Sequence, residues 1–174
     1  MTTAPIILVM GVSGAGKTTI ASRLAERLGW AFLDADDLHP PANHAKMARG
    51  EPLDDADRRP WLAAVSDWMQ TQQKRGAPAV VACSALKRAY RDRLRRGVAD
   101  LAIVFIQAAP QLLAERLARR SGHFMPPSLL TSQIETLEPP TADETVIVVQ
   151  AAQTPEQIVE RVLDWVGDRP STRS

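Results

Sequence analysis

The chain has 174 residues, of which 45% are hydrophobic and 24% charged, and its formal net charge is +1. This composition is typical of one globular domain with an apolar core, and the near-neutral charge disfavours nucleic acids and anionic membranes as partners. The single cysteine, Cys83, excludes an intrachain disulfide. The apolar run over residues 6–10 is too short for a signal peptide or a membrane span, so we expect a cytoplasmic protein.

Short apolar runs alternate along the chain with segments of helical periodicity. Strands are predicted over residues 6–10, 31–33, 79–83, 102–106 and 145–149. Helices are predicted over residues 18–28, 54–74, 87–96, 110–119 and 155–166. Because this alternation is typical of a parallel sheet with helices on both faces, we predict an α/β fold. Two irregular stretches, residues 34–60 and 121–127, interrupt it, and we interpret them as insertions at the functional edge.

Residues 11–18 read Gly-Val-Ser-Gly-Ala-Gly-Lys-Thr, which matches the phosphate-binding loop G-x-x-x-x-G-K-[ST] at every fixed position. In such a loop the glycines let successive backbone N–H groups point at phosphate oxygens, and the helix that follows adds its dipole. Lys17 reaches the β and γ phosphates, and the Thr18 hydroxyl can bind Mg²⁺. The predicted nucleotide-binding residues of the loop are Gly11, Val12, Ser13, Gly14, Ala15, Gly16, Lys17, Thr18 and Thr19. We therefore predict that the protein binds a nucleoside triphosphate and transfers its terminal phosphoryl group, with Lys17 as a catalytic residue.

The rest of the chain narrows the class of phosphate-loop protein. No Asn-Lys-x-Asp segment is present, which disfavours a GTPase, and the strand at 79–83 lacks the aspartate that commonly supports the metal. Asp34 and Asp36 follow the second strand, and the carboxyl ends of parallel strands line one edge of the sheet. One of these carboxylates can hold the water shell of the metal, and the other can accept the proton of an attacking hydroxyl.

Three arginines, Arg116, Arg119 and Arg120, lead into a Ser-Gly-His turn. An arginine that closes over the site can stabilise the negative charge of the transferring phosphate and exclude water. We therefore predict an arginine lid, with an ordinary cationic helix end as the alternative. The basic helix over residues 87–96 is interpreted as a solvated face rather than a nucleic-acid surface, because Tyr90 is its only aromatic residue.

Several segments of the chain resemble one family in particular, the gluconokinases. An Asp-x-Asp-x-x-His-Pro segment begins at Asp34, and a Cys-Ser-Ala-Leu-Lys segment begins at Cys83. Both are much more specific than the phosphate loop, which many families share. Further matching residues are Asn43, Lys46, Met47, Gly50, Glu51, Pro52, Leu53, Asp57, Arg58, Pro60, Trp61, Leu62, Tyr90, Arg91, Gly122, His123, Phe124 and the run 133–138. The resemblance covers about residues 6–150, nearly the whole folded chain.

This resemblance implies a three-layer P-loop kinase fold with a five-stranded parallel sheet, similar to nucleoside monophosphate kinases and shikimate kinase. It implies a single domain over residues 1–174, with a substrate-binding insertion at about 37–75 and a lid at about 119–132. The reaction implied is the phosphorylation of D-gluconate by ATP, with Mg²⁺, to ADP and 6-phospho-D-gluconate. Members of the family are commonly homodimers, so a homodimer is expected.

The resemblance also implies roles for individual residues. Asp36 would contact the acceptor hydroxyl, Asp34 and Thr18 would lie at the metal, and Arg58 would bind an acceptor carboxylate. The substrate-binding residues that complete this set are His39, Lys87, His123 and Gln133. Gluconate carries one carboxylate and five hydroxyls, so a cation at one end of the site and hydrogen-bonding groups along it suit this substrate.

Two assignments concern the nucleotide side and the lid. By analogy with related kinases, Arg116 and the loop around residues 150–155 are candidates for adenine binding, and Arg120 is the predicted catalytic arginine. Two alternative functions stay open at this point. The first is a kinase for another small hydroxy acid such as shikimate, and the second is an ATP-binding protein without acceptor chemistry.

Overall fold

The computed structural model describes residues 3–119 and 126–169. The strands are β1 (Ile6–Met10), β2 (Ala31–Asp34), β3 (Ala79–Ala82), β4 (Leu101–Gln107) and β5 (Val146–Gln150). They form a parallel sheet in the order β2-β3-β1-β4-β5, in which Ile6 of the central strand lies opposite Ala79 and Leu101. The predicted α/β fold with five parallel strands is confirmed.

The helices are α1 (Lys17–Leu28), α2 (Pro41–Ala48), α3 (Asp55–Lys74), α4 (Arg88–Arg95), α5 (Pro110–Arg119), α6 (Pro127–Thr136) and α7 (Pro155–Asp168). Local sequence explains where several of them begin. Asp54 and Asp57 form a capping box at the start of α3, and Thr154 and Gln157 do the same for α7. Among the described residues no helix is long and apolar enough to cross a membrane.

Helices α2 and α6 were not predicted from the sequence. Each begins at the second residue of a Pro-Pro pair, which we interpreted as part of an irregular stretch. Proline is nevertheless favoured at the first position of a helix, because its fixed φ angle suits the helix and its missing N–H would have no partner there. Both helices prove important, because they contribute side chains to the functional edge.

The sheet separates two apolar layers, and alternate residues of β1 supply them. Ile7 and Val9 pack with α1, α5, α6 and α7, and Ile6, Leu8 and Met10 pack with α3 and α4. Every residue of β1 is buried, as expected for a central parallel strand covered on both faces. This three-layer packing holds the carboxyl ends of the strands at one edge, where the phosphate loop and the aspartates emerge.

One buried ion pair corrects the interpretation of residues 87–96 as a wholly solvated face. Arg91 and Glu144 are 0% and 1% exposed, and the Arg91 Nε donates to Glu144 Oε1 at 2.8 Å. The Arg91 guanidinium also donates to the carbonyl oxygens of Ala85, Leu86 and Glu138. The hydrogen bonds of Arg91 therefore connect the segment after β3 to the segment after α6.

Candidate active site

The phosphate loop follows β1 directly and depends on glycine for its shape. Gly14 and Gly16 have φ angles of 87° and 104°, in the left-handed region that side chains disfavour. Gly16 also precedes the first turn of α1, so the backbone curls into the helix N-terminus. The Lys17 Nζ donates to the Val12 carbonyl oxygen at 3.1 Å, which places the ammonium over the loop. The arrangement offers backbone N–H groups, a helix dipole and a cation to one anion.

Thr18 and Asp34, the two predicted metal residues, are in direct contact. The Thr18 Oγ1 donates to Asp34 Oδ2 at 2.8 Å. The other carboxylate oxygen, Asp34 Oδ1, accepts from the Asp36 backbone N–H at 3.0 Å and caps a short 3-10 turn over residues 35–38. A hydroxyl and a carboxylate are the oxygen ligands that Mg²⁺ prefers, so this pair fits a magnesium ion beside the phosphate loop.

A cleft of about 710 Å³, here called the large cleft, opens between the phosphate loop, the 3-10 turn and helices α2, α3 and α6. Its lining includes nine of the predicted site residues: Ser13, Lys17, Thr18, Thr19, Asp34, Asp36, His39, Arg58 and Gln133. The fold thus brings the aspartates that follow β2 next to the phosphate loop, together with side chains that are far apart in the sequence.

Asp36 lies in the large cleft near Lys17. Solvent in the cleft reaches 66% of its side chain, yet the surrounding walls reduce the hydration of the carboxylate. This desolvation raises the pKa of Asp36, the charges of Asp34 and Asp37 add to the rise, and Lys17 opposes it. A carboxylate with a raised pKa is a stronger base, which suits a group that accepts a proton.

The imidazole of His39 forms the wall of the cleft beside Asp36. It stacks on the Trp61 ring with centroids 4.2 Å apart and an interplanar angle of 15°. Burial lowers the pKa of His39 to about 4, with the charges of His44 and Arg58 adding to the effect, so the ring is neutral at pH 7. The Trp61 Nε1 donates to the Ala35 carbonyl oxygen at 2.6 Å and so anchors the 3-10 turn that carries Asp36.

Trp61 and Asn43 match the family pattern in sequence, but neither was predicted to be a site residue. Both are buried and both contact His39, Trp61 by stacking and Asn43 by a 3.2 Å contact between its Nδ2 and the ring Nδ1. The available signal was chemical: a buried indole N–H and a buried amide each need a polar partner, and here those partners are in the site.

Two predicted substrate-binding cations, Arg58 and Lys87, occupy different positions. Arg58 lines the large cleft, and its Nη1 donates to the Tyr90 hydroxyl at 3.1 Å. Lys87 lies outside the cleft lining formed by the described residues, and its Nζ pairs with the Asp55 carboxylate at 3.0 Å. The Tyr90 hydroxyl also donates to Asp55, so the tyrosine connects the two cations.

Gln133 connects α6 to the phosphate loop. Its Oε1 accepts from the Ser13 backbone N–H at 2.7 Å, across 120 residues of sequence. Because the oxygen faces the loop, the amide group of the same side chain can donate to a ligand in the large cleft. Gln133 therefore contacts the phosphate loop and also lines the large cleft.

A second cavity of about 320 Å³, here called the small cavity, lies on the other side of the phosphate loop. Arg116 borders it and donates to the carbonyl oxygens of Gly14, Ala15 and Ala151 at 2.6–3.3 Å. The loop after β5, the predicted adenine-binding segment, contributes Ala151 and Gln153 to its lining. Arg119 borders the same cavity, while Arg120 and His123 lie outside the described residues.

Comparison with known proteins identifies the family. Residues 6–140 match a family model described as an AAA domain. A protein named gluconokinase from Gluconobacter oxydans (strain 621H) is 54% identical over 157 residues, which cover 90% of this chain and 88% of that protein. The chain belongs to the gluconokinase family. The family and enzyme class implied by the sequence resemblance are thereby confirmed.

Two solved structures support this membership. The crystal structure of a gluconokinase from Sinorhizobium meliloti 1021 is 45% identical, with a TM-score of 0.86, over 96% of this chain and 94% of that one. The structure of a sugar kinase from Janibacter sp. HTCC2649 is 44% identical, with a TM-score of 0.91, over 98% and 99% of the two chains. The protein is thus a P-loop kinase that uses a nucleotide.

Proposed function

We propose that this protein transfers the γ-phosphoryl group of ATP to D-gluconate, with Mg²⁺, and releases ADP and 6-phospho-D-gluconate. The observation that carries the proposal is the hydrogen-bonded series from Thr18 through Asp34 to the backbone of Asp36. In this proposal Asp36 is the base, and it lies beside Thr18 and Asp34, the candidate Mg²⁺ ligands, next to the phosphate loop. The relatives named gluconokinase support D-gluconate as the acceptor.

The nucleotide would extend across the phosphate loop from one cavity to the other. The small cavity and the large cleft share Thr19, so they meet at the start of α1. The base would occupy the small cavity beside Arg116, and Lys17 and the loop N–H groups would bind the phosphates. Thr18 and Asp34 would hold Mg²⁺, which when bound neutralises charge on the transferring phosphate.

In the proposed reaction a gluconate hydroxyl attacks the γ-phosphorus. The new bond joins that oxygen to phosphorus, the bond to the oxygen between the β and γ phosphates breaks, and ADP leaves. Asp36 accepts the hydroxyl proton, and its raised pKa strengthens it for this step. His39 and Gln133 would bind other hydroxyls of the acceptor.

Arg58 is the best-placed cation for the gluconate carboxylate. Arg58 lines the large cleft. Its Nη1 donates to the Tyr90 hydroxyl, and its guanidinium carbon lies 5.5 Å from the centre of the Tyr90 ring. Arginine can bind a carboxylate through two parallel hydrogen bonds, which orients the acceptor as well as attracting it.

We further propose that Arg120 and His123 close over the site with the lid, and that Lys87 assists at the carboxylate end. We also propose that the protein is a homodimer.

An acceptor screen tests the proposed function. ADP release should be stimulated by D-gluconate far more than by shikimate, other sugar acids or nucleoside monophosphates. Turnover with a different acceptor and none with gluconate would contradict the proposed substrate. ATP binding with no acceptor-stimulated ADP release would instead favour a nucleotide-binding protein without acceptor chemistry.

A further inference from the structure

Asn43 makes two contacts that fix the orientation of its amide. It is the only asparagine in the chain, it is 4% exposed, and it lies on α2 behind His39. Its Nδ2 donates to the Asp57 carbonyl oxygen at 3.0 Å and lies 3.2 Å from His39 Nδ1. Because a carbonyl oxygen can only accept, the atom facing it must be the NH₂ group. The second hydrogen of that group then points at His39 Nδ1.

This orientation determines the tautomer of the neutral ring. His39 Nδ1 faces a donor, so it must be the unprotonated nitrogen, and the ring hydrogen must be on Nε2. The surroundings keep the ring neutral: its side chain is 6% exposed and stacked on Trp61, and Arg58 and His44 disfavour a second positive charge. The cleft-facing Nε2 lies 3.9 Å from Asp36 Oδ1, the nearby carboxylate that could interact with it.

We propose that Asn43 is a positioning residue that holds His39 as the Nε2–H tautomer, so that the imidazole presents a hydrogen-bond donor to the large cleft. A nitrogen that already carries a hydrogen cannot take the proton of the acceptor hydroxyl. The proton-accepting role is therefore left to Asp36, whose Oδ1 lies 3.9 Å from Nε2. The kinetic part of this inference rests on the proposed gluconate kinase function, whereas the tautomer itself does not.

Nitrogen-15 NMR of the full chain labelled at histidine tests the tautomer directly. The chain has three histidines, His39, His44 and His123, so His44→Gln and His123→Gln variants assign the His39 signals. At neutral pH we expect an unprotonated Nδ1 and a protonated Nε2 for His39. The reverse pattern in the native protein would overturn the proposal whether or not gluconate proves to be the substrate.

An Asn43→Asp variant tests whether Asn43 determines the tautomer of His39. Its carboxylate accepts instead of donating, so His39 should change to a ring protonated on Nδ1, and Ala45→Asp controls for an added charge on an exposed part of α2. An unchanged His39 spectrum in folded Asn43→Asp would contradict the proposal. If this variant does not fold, the spectrum of the native protein still decides.

The kinetic consequence is tested by a double-mutant cycle. At saturating gluconate, Asn43→Asp should lower kcat about 10-fold or more, as loss of an orienting partner commonly does. In a His39→Gln background the side chain at position 39 has no ring tautomers to select. There, Asn43→Asp should lower kcat by less than about 3-fold. Equal losses in the two backgrounds would show that Asn43 does not act through His39.

Discussion

The phosphate loop and the large cleft hold their functional groups in different ways. The loop acts mainly through its backbone, which needs left-handed glycines and one lysine within a single short segment. The cleft acts through side chains that arrive from the 3-10 turn, α2, α3 and α6. A triphosphate is shared by many enzymes and a backbone cradle suffices for it, whereas an acceptor must be distinguished from similar molecules and needs placed polar groups.

The phosphate loop and the large cleft are also held in place by different kinds of contact. The loop is held between β1 and α1, both packed in the core. The cleft depends on polar connections such as the Thr18–Asp34 bond, the Trp61–Ala35 bond and the Arg91 network. Substitutions in the cleft should therefore separate acceptor chemistry from nucleotide binding, and the predictions below test that separation.

The largest effect is expected at Asp36. Asp36→Asn keeps the shape of the side chain but removes the base, so kcat should fall by about 10²–10⁴-fold, the usual contribution of general base catalysis. ATP affinity should change by less than about 3-fold, because the loop is untouched; steady-state kinetics and calorimetry measure the two quantities. A parallel loss of ATP affinity would show that the two regions are not separable at this residue.

The pH profile of the native enzyme gives an independent check on Asp36. The base works only when deprotonated, so kcat/KM should fall as the pH drops through its pKa. Because reduced hydration in the cleft raises the pKa of Asp36 above the ordinary value of 3.8, this fall should occur at a higher pH than for a fully hydrated aspartate. The Asp36→Asn variant should lack the acidic fall in its residual activity.

Arg91→Leu tests the support of the cleft. The substitution removes the buried partner of the Glu144 carboxylate, which keeps only the more exposed Arg88 and Arg95 as neighbouring cations. It should lower the free energy of unfolding by about 3–5 kcal/mol, measured by urea denaturation. Arg96→Leu, at an exposed position just after α4, should change it by less than about 0.5 kcal/mol. Replacing Glu144 by leucine as well should recover most of the loss, and failure to do so would mean that the carbonyl contacts dominate.

These two regions also differ in how far sequence could predict them. The residues of the phosphate loop follow from a short motif with a known backbone requirement, and they lie where the motif places them. The pairing of Thr18 with Asp34 follows from the parallel sheet, because strand ends share an edge.

The cleft could be predicted only in part. Its residues come from segments far apart in the chain. Helices α2 and α6 were not predicted, because their first prolines were interpreted as part of irregular stretches, whereas these prolines begin helices. The positions of Lys87 beside Asp55, and of Asn43 beside His39, depend on how α2, α3 and α4 pack. Periodicity within each helix does not contain that information, because packing joins residues that no local pattern relates.

Arg58 should affect acceptor binding more than chemistry. Removing a charged hydrogen-bonding group costs about 1.5–3 kcal/mol, so Arg58→Ala should raise the KM for gluconate roughly 10–100-fold while the KM for ATP stays within about 3-fold. Tyr90→Phe, which removes one hydrogen bond to the arginine, should raise the gluconate KM by only about 2–10-fold. If Lys87→Ala has the larger effect on the gluconate KM, the carboxylate end of the cleft lies at Lys87 instead.

Gln133 gives the smallest and most selective test, because it spans both regions. Gln133→Met removes the acceptor for the Ser13 N–H, and the net loss of one hydrogen bond, about 0.5–1.5 kcal/mol, should raise the KM for ATP roughly 2–10-fold. The gluconate KM should rise as well, because the same amide faces the large cleft. Thr131→Ala, an exposed substitution on α6, serves as the control and should change neither value. A rise in the gluconate KM alone would mean that the Ser13 bond is not maintained when ATP is bound, and that the two regions of the site bind their ligands independently.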